Sequence, residues 1–369
     1  MQRKKMALSL REWIVSSTAT SSSTRTLPHV RLMDGGVSTH LEKLLQAQDP
    51  PATFPQRSLW SSSLLRSKSG QATILQGHKD WLKAGSDILT TVTYQCHFGS
   101  LHAPLLIVSL DEMKTMMDTG IQLAKQAIEQ LGGESPREHF VVASSGCYGA
   151  ALANGSEYTG IYPGMSKDDL VQFHLDKITV LAANEPDGVA IETIPCVEEA
   201  EAVCLALKRL AMTDICCWIS LACKDGETLN EGKPFVDALQ AIRKVDPDAN
   251  HVHAVGVNCC DSIHIASLLK ILTADMAKNG PRRGIVLYPN SGEKWDASNA
   301  SWRIGTGCTD ADQFSDRLVE ALDIVEQTWL DYGGHGTPPK LIIGGCCRTS
   351  PTTIAALRRR IDDWHKRKV

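Results

Sequence analysis

The chain has 369 residues, of which 43% are hydrophobic and 22% are charged, and its formal net charge at pH 7 is −4. This composition is that of an ordinary soluble globular protein. It has no clustered basic excess of the kind that binds nucleic acid or anionic membranes, and its apolar runs are far shorter than a membrane span. We therefore expect no nucleic-acid partner, no membrane partner and a cytoplasmic location.

Residues 1–28 form a separate N-terminal extension. It is basic and rich in Ser and Thr, and Glu12 is its single acid. A disordered extension has this composition, and so has a mitochondrial transit peptide, while Leu8 to Val15 has the apolar residues for a short covering helix. We interpret residues 1–28 as an extension that is disordered or forms that helix, with mitochondrial targeting as the minor alternative. Residues 29–369 are interpreted as one domain.

This domain alternates between β-rich and helical segments. The β-rich segments are dominated by Val, Ile, Leu, Thr and Ala without polar alternation, as expected of strands buried on both faces. The predicted strands are Val30–Gly36, Asp87–Tyr94, His139–Gly146, Gly188–Ile194, Cys216–Cys223, Ala254–Cys260, Gly284–Ser291 and Lys340–Gly345. The predicted helices are Leu59–Lys83 (interrupted at Gly70), Leu110–Leu131, Ser166–Ala183, Val197–Leu210, Lys233–Val245, Ser262–Lys278, Asp310–Leu330 and Thr352–Lys366.

The alternation predicts a fold of the α/β class. Because no Gly-rich dinucleotide fingerprint follows the first strand, we predict a single-domain (β/α)8 TIM-type barrel, with an open doubly wound sheet as the alternative. In such a barrel the chemistry lies at the C-terminal ends of the strands. Polar and metal-binding residues are concentrated at those ends: Asp34, Gly35, Gly36, Tyr94, Gln95, Glu192, Asn258, Cys259, Asn290, Cys346 and Cys347.

The chain has 12 cysteines, too few for a disulfide scaffold of this length, so in a reducing cytosol they are free thiols or metal ligands. Cys346 and Cys347 follow Gly344 and Gly345, and paired glycines permit the turn that two consecutive ligands need. Cys259 ends the sixth predicted strand on the same rim. Three thiolates suit Zn²⁺ with the fourth tetrahedral position open to a substrate. Buried core cysteines are the alternative, and composition alone does not decide between the two.

Short motifs follow one another in order from about Arg31 to the C-terminus. The most specific are GVNC at 256–259 and IGGCCRTSP at 343–351. The others are MDGGVSTHLE at 33–42, AGSDILTTVTYQ at 84–95, YGAALANGSEY at 148–158, ETIP at 192–195 and YPNSGE at 288–293. Together they resemble the homocysteine S-methyltransferase family, whose members are zinc-dependent (β/α)8 barrels.

The resemblance implies a function and a set of site residues. Cys259, Cys346 and Cys347 would hold Zn²⁺, and a methyl group would pass from S-methylmethionine or S-adenosylmethionine to the zinc-bound thiolate of L-homocysteine, giving methionine. Because attack on a sulfonium methyl expels a neutral thioether, we expect no catalytic residue beyond the zinc-activated substrate thiol. The resemblance also implies that Asp34 and Glu192 bind substrate.

Other rim residues are predicted either to line the substrate pocket or to serve only in packing at the rim. Gly35 and Gly36 would let backbone N–H groups approach a substrate carboxylate, and Tyr94, Gln95, Asn258, Tyr288 and Asn290 would line the pocket. Arg348 is expected to form a salt bridge across the rim. Cys260 is expected to face away from the metal, because successive strand side chains alternate faces.

Two alternatives remain open. Within the same chemistry, the donor would be betaine or the acceptor selenocysteine. In another class, the chain would be a non-catalytic redox-sensing barrel in which Cys346 and Cys347 cycle with Cys259.

Overall fold

The computed structural model describes residues 8–16, 29–55, 57–98, 109–131, 137–293, 295–296, 301–303 and 306–368. Eight parallel strands form one sheet in the order β1-β8-β7-β6-β5-β4-β3-β2. A bridge between Met33 and Ile88 joins β1 to β2, so the sheet closes into the predicted barrel. The strands are β1 Val30–Leu32, β2 Ile88–Thr90, β3 Phe140–Gly146, β4 Gly188–Ile194, β5 Cys216–Leu221, β6 Ala254–Asp261, β7 Gly284–Asn290 and β8 Leu341–Ile343.

Eleven helices surround or close the described part of the barrel. They are α1 Leu10–Val15, α2 Val37–Gln46, α3 Lys68–Ala84, α4 Leu110–Leu131, α5 Tyr148–Leu152, α6 Lys167–Ala183, α7 Val197–Arg209, α8 Phe235–Val245, α9 Ile265–Asn279, α10 Ala311–Asp331 and α11 Pro351–Lys368. Apart from the first, Leu59–Lys83, the long predicted helices are confirmed to within a few residues. Among the described residues, no helix combines the length and the apolar composition needed to cross a bilayer.

The predicted interruption of the first long helix at Gly70 is wrong. A 3₁₀ segment, Arg57–Arg66, ends before α3 begins, and Ser67 caps α3 by accepting a hydrogen bond from the Gly70 N–H at 3.1 Å. Gly70 is instead a packing residue, since a Cβ atom there would clash with the Leu64 carbonyl. The missing side chain lets the 3₁₀ segment turn tightly into the helix.

The first two strands are shorter than predicted because their C-terminal residues bond to each other through side chains. The Asp34 carboxylate accepts hydrogen bonds from the Thr90 N–H at 2.6 Å and from the Thr90 hydroxyl at 2.9 Å. The Asp34 carbonyl accepts from the Gly345 N–H at 3.1 Å. These contacts bring the ends of β1, β2 and β8 together at the C-terminal rim.

Helix α1 closes the opposite end of the barrel. Its residues Leu10, Trp13 and Ile14 are fully buried and pack in one cluster with the side chains of the barrel interior. The Arg31 guanidinium lies between the rings of Trp13, at 5.0 Å, and Phe140, at 4.5 Å. The part of the N-terminal extension at residues 8–16 is therefore built into the core, while residues 1–7 and 17–28 lie outside the described part of the chain.

Candidate metal centre

Three cysteine sulfurs meet at the C-terminal mouth of the barrel. The sulfur atoms of Cys259, Cys346 and Cys347 all lie within 4.8 Å of one another, and each residue is partly exposed. Sulfurs about 2.3 Å from one tetrahedral ion lie about 3.8 Å apart, so a shift of at most ~1 Å would let all three bind it. Hydrogen bonds from the Cys259 and Cys346 thiols hold the pKa of Cys347 well below its usual value. The cluster therefore favours a thiolate, the form that binds a soft metal.

A tight turn after β8 presents the two consecutive cysteines. The Thr349 N–H donates to the Cys346 carbonyl at 3.2 Å, and Arg348 has a φ of 67°. The expectation that Gly344 and Gly345 supply this turn is wrong, because the left-handed residue is Arg348. The two glycines instead permit close packing, since a Cβ atom on Gly344 would clash with Met33 and one on Gly345 with Thr349.

Cys259 reaches the cluster through a bulge at the end of β6. The pairing of β6 with β7 shifts register between Asn258 and Asp261, and Cys259 has a φ of 53°. The bulge points the Cys259 sulfur toward the other two thiols. As predicted, Cys260 faces away and packs as a buried apolar residue in the main core.

A second bulge, at the end of β4, is tied to the first. The register of β4 shifts between Ile191 and Ile194, and Thr193 has a φ of 64°. The Asn258 side chain accepts from the Thr193 N–H and donates to the Thr193 hydroxyl, both at 2.8 Å. Asn258, predicted as a pocket residue, therefore has its side-chain amide buried and engaged with the neighbouring strand.

Glu192 lies within the bulge of β4 and is buried. Its carboxylate accepts a hydrogen bond from the Ser144 hydroxyl, and a further bond from Tyr288 reaches it. Burial raises the pKa of Glu192 to about 7, and electrostatic interaction with the nearby Cys346 side chain adds to the increase. Tyr288 is fully buried, and its hydroxyl accepts a hydrogen bond from the Trp218 Nε1–H at 3.2 Å. This bond fixes the Tyr288 hydroxyl beside Glu192.

Asp34 is more deeply buried than Glu192, with no exposed surface. Burial raises its pKa well above the usual value, and the bonds from Thr90 act in the opposite direction.

Gly36 and Gly35 pack against the turn after β8 that carries Cys346 and Cys347 (the metal turn). The Gly36 N–H donates a hydrogen bond to the Thr349 hydroxyl at 2.9 Å, which helps to hold this turn in place. A Cβ atom on Gly36 would lie 2.6 Å from the Cys346 carbonyl, and one on Gly35 would lie 2.7 Å from the Thr349 hydroxyl.

The other predicted pocket residues lie at the same rim with different partners. Tyr94 is half-buried and hydrogen bonded to Thr193. The Gln95 side-chain oxygen is buried and has no hydrogen-bond partner among the described residues. The Asn290 side chain accepts from the Gly292 N–H at 2.9 Å, which fixes the turn after β7.

The predicted rim salt bridge of Arg348 is confirmed. Its guanidinium binds both carboxylate oxygens of Glu293, at 2.8 and 3.0 Å. The Ser291 hydroxyl donates to the same carboxylate at 3.1 Å, and the Ser291 N–H donates to the Cys347 carbonyl at 3.2 Å. These bonds form a closed ring, the Arg348–Glu293 clamp, which fastens the metal turn to the loop after β7.

Three residues near the site were not singled out from the sequence. Lys177 is buried and donates to the carbonyls of Gly146 at 3.0 Å and Tyr94 at 3.4 Å, and burial lowers its pKa to about 8. A lysine on the apolar face of the predicted helix at 166–183 was the signal for it. Glu157 and Tyr158 lie on the loop after β3, in a segment used only for the family resemblance.

The remaining histidines and cysteines are mostly hydrogen bonded or buried. His40 binds Asp80 and His174 binds Glu199, each at 2.9 Å. His78 differs, because neither ring nitrogen has a hydrogen-bond partner in the described part of the chain. Eight further cysteines are all buried: Cys96, Cys147, Cys196, Cys204, Cys216, Cys217, Cys223 and Cys308.

Comparison with known proteins identifies the family. The family model for homocysteine S-methyltransferase matches residues 31–361. Homocysteine S-methyltransferase 1 of Arabidopsis thaliana is 34% identical over 338 residues, which cover 89% of this chain and 92% of the relative. Betaine-homocysteine S-methyltransferase of Drosophila melanogaster is 33% identical over 344 residues, covering 89% of this chain and 93% of the relative.

A solved structure agrees with this result. The metallated form of the homocysteine methyltransferase MmuM from Escherichia coli superposes with a TM-score of 0.68 at 28% identity, covering 90% of this chain and 96% of that one. The chain therefore belongs to the homocysteine S-methyltransferase family and is a methyltransferase.

Proposed function

We propose that this protein transfers a methyl group from a sulfonium donor, S-methylmethionine or S-adenosylmethionine, to L-homocysteine, with Zn²⁺ held by Cys259, Cys346 and Cys347. The observation that carries the proposal is the convergence of the three sulfurs within 4.8 Å at the open mouth of the barrel. Three sulfur ligands fit a soft tetrahedral ion and leave one position for a fourth sulfur. When bound, zinc would lower the pKa of the homocysteine thiol and keep it anionic at neutral pH.

The carboxylates of the site would bind the amino-acid end of homocysteine. Glu192 lies close enough to Cys346 for their charges to interact, so it is placed to accept a hydrogen bond from the substrate ammonium. Asp34 has acceptor capacity left on Oδ1, which receives one bond from Thr90. We assign Asp34 and Glu192 to substrate binding, with Gly35, Tyr94, Gln95 and Asn290 as pocket walls.

Asn258 would act through its neighbours. Its side-chain oxygen and nitrogen are both hydrogen bonded to Thr193, so we give it a positioning role in this proposal. By joining the bulges of β4 and β6, it would fix the distance between Glu192 and Cys259. Positioning of this kind supports a site that binds metal and substrate together.

The proposal is tested by metal content and by donor choice. We expect the purified protein to hold one zinc per chain, and we expect Cys346→Ala to lose zinc and methyl transfer while keeping its circular dichroism spectrum. Cys204→Ala is the matched control, since this thiol is buried away from the rim. Wild-type turnover by Cys346→Ala would refute the assignment.

A second donor is favoured by one relative. The Drosophila protein, which is 33% identical, is named for betaine. Rates of methionine formation from homocysteine with S-methylmethionine, S-adenosylmethionine and betaine, each at saturation, decide between the donors. We expect the two sulfonium compounds to be used, and betaine as the fastest donor would overturn that choice.

We also propose a cytoplasmic location. Leu10, Trp13 and Ile14 belong to the folded core at the lower end of the barrel. A targeting segment that is cleaved after import would remove these residues. Imaging of the full chain with a C-terminal fluorescent tag tests this, and a mitochondrial signal would contradict it.

A further inference from the structure

The loop after β3 crosses the mouth of the barrel beside the thiol cluster. It contains α5 and then one 3₁₀ turn, Ser156–Tyr158. The Tyr158 side chain is 56% exposed although it is large and aromatic. Its hydroxyl lies within the electrostatic reach of Cys259, Cys347 and Cys346, whose charges raise its pKa. Tyr158 is thus near the three sulfurs and has more than half of its side chain exposed.

The backbone of this loop is fixed without help from the two side chains in question. The Asn230 side chain donates to the Glu157 carbonyl at 2.9 Å, and the Tyr158 N–H donates to the Gly155 carbonyl at 3.0 Å. The Glu157 N–H lies directly over Gly149, where any Cβ atom would clash with it. The side chains of Glu157 and Tyr158 are therefore free to serve another purpose.

Glu157 has one carboxylate oxygen that is unpaired within the described part of the chain. Its Oε2 is buried and has no hydrogen-bond partner among the described residues. The carboxylate lies near Tyr94, Cys147 and Tyr158, since its charge acts on all three side chains. A buried acceptor without a partner is costly, and an acidic one is stabilised best by a cation.

An aromatic ring and an unpaired carboxylate, side by side next to a cluster of thiols, are a fitting site for a positively charged ligand. Aromatic faces attract onium ions through the ring quadrupole, and carboxylates form strong hydrogen bonds with ammonium groups. Glu192 and Asp34 are at the strand ends, whereas Glu157 and Tyr158 belong to the loop after β3, so the two pairs come from different elements of the rim.

We propose that Glu157 and Tyr158 form the subsite for the methyl donor, with the sulfonium against the Tyr158 ring and the donor's ammonium on the Glu157 carboxylate. This inference rests on the proposed function, because it assumes a cationic donor. It assigns the two residues to donor binding alone, separate from the groups that hold homocysteine and the metal.

The test is steady-state kinetics of the zinc-loaded full chain with S-methylmethionine as the donor. We expect Tyr158→Leu to raise the donor KM roughly tenfold and Tyr158→Phe to restore most of the loss, because the ring face supplies the attraction. We expect Glu157→Gln to raise the donor KM roughly tenfold as well, from the loss of a charged hydrogen bond. Zinc content and the homocysteine Kd, measured by calorimetry, should stay at wild-type values.

Tyr332→Leu is the matched control. Tyr332 is also a largely exposed tyrosine with a nearby cation, Lys278 at 4.2 Å, but it ends α10 at the far end of the barrel. It should leave the donor KM unchanged. A wild-type donor KM in both Tyr158→Leu and Glu157→Gln would overturn the subsite, and so would a weaker homocysteine affinity, which would assign these residues to the acceptor. Absence of transfer from any sulfonium by the wild-type protein would instead overturn the proposed function.

Discussion

Arg348 is a residue whose backbone and side chain have opposite effects on stability. Its φ of 67° is a conformation that glycine adopts freely and other residues resist. Its guanidinium forms two hydrogen bonds to Glu293, whose side chain is only 3% exposed, compared with 25% for Arg348. Substitution by glycine removes both the strain and the ion pair, whereas substitution by alanine removes the ion pair alone.

The expected magnitudes follow from these two contributions. Removing one partner of a fully buried ion pair costs about 3–5 kcal/mol, and the partial exposure of Arg348 lowers this to about 2 kcal/mol for Arg348→Ala. The left-handed conformation costs a non-glycine residue about 1 kcal/mol. Arg348→Gly should therefore be destabilised by only about 1 kcal/mol, which makes glycine the more stable of the two replacements.

Urea denaturation of the metal-free variants measures both values. A competition assay with a chromophoric chelator measures zinc affinity, which we expect to fall by about 10- to 100-fold in both variants because the clamp no longer holds the metal turn. Equal stability of Arg348→Ala and Arg348→Gly would refute the strain argument. Unchanged zinc affinity in both would show that the clamp does not position Cys347.

Two further predictions concern parts of the molecule away from the metal. Trp13→Ala should lower the free energy of unfolding by about 3 kcal/mol without changing zinc affinity, and an unchanged melting temperature would show that α1 is not part of the core. Burial lowers the pKa of His78 to about 4, from 6.5 when unfolded, so the unfolded chain takes up more protons and stability falls as the pH drops below 6.5. Between pH 7 and pH 5 the wild-type protein should lose about 2 kcal/mol of unfolding free energy through His78, and the His78→Leu variant should not show this loss. If the urea midpoints of variant and wild type change by the same amount between the two pH values, the prediction is contradicted.

The barrel was predictable because its signals are local. Each strand is a short apolar run, and some of the long helices have a start signal, such as the Ser166 side chain that accepts from the Asp169 N–H. The same alternation placed Cys259, Cys346 and Cys347 on one rim before any distance was known. Short elements next to the rim, α2 and α5, were missed because they lack the length for a clear period.

The details of the site were not predictable, because they depend on contacts between distant residues. Asn258 is a polar residue at a strand end, as a pocket residue would be. Only the structure shows that its side-chain amide is already hydrogen bonded to Thr193. The paired glycines before Cys346 are typical of a turn, yet in the structure their missing side chains allow close packing against Met33 and Thr349. In both cases a role assigned from the neighbours in sequence lacks the contacts that the folded chain adds.

Strained backbone at this rim follows a pattern that connects these observations. Thr193, Cys259 and Arg348 all have positive φ, and they lie at the ends of β4, β6 and β8. Strain of about 1–3 kcal/mol per residue persists only where the surroundings over-determine the conformation. Asn258 supplies that constraint for Thr193, and the Arg348–Glu293 clamp supplies it for the metal turn. The three sulfurs are thus brought together by strained backbone conformations that contacts elsewhere in the protein hold in place.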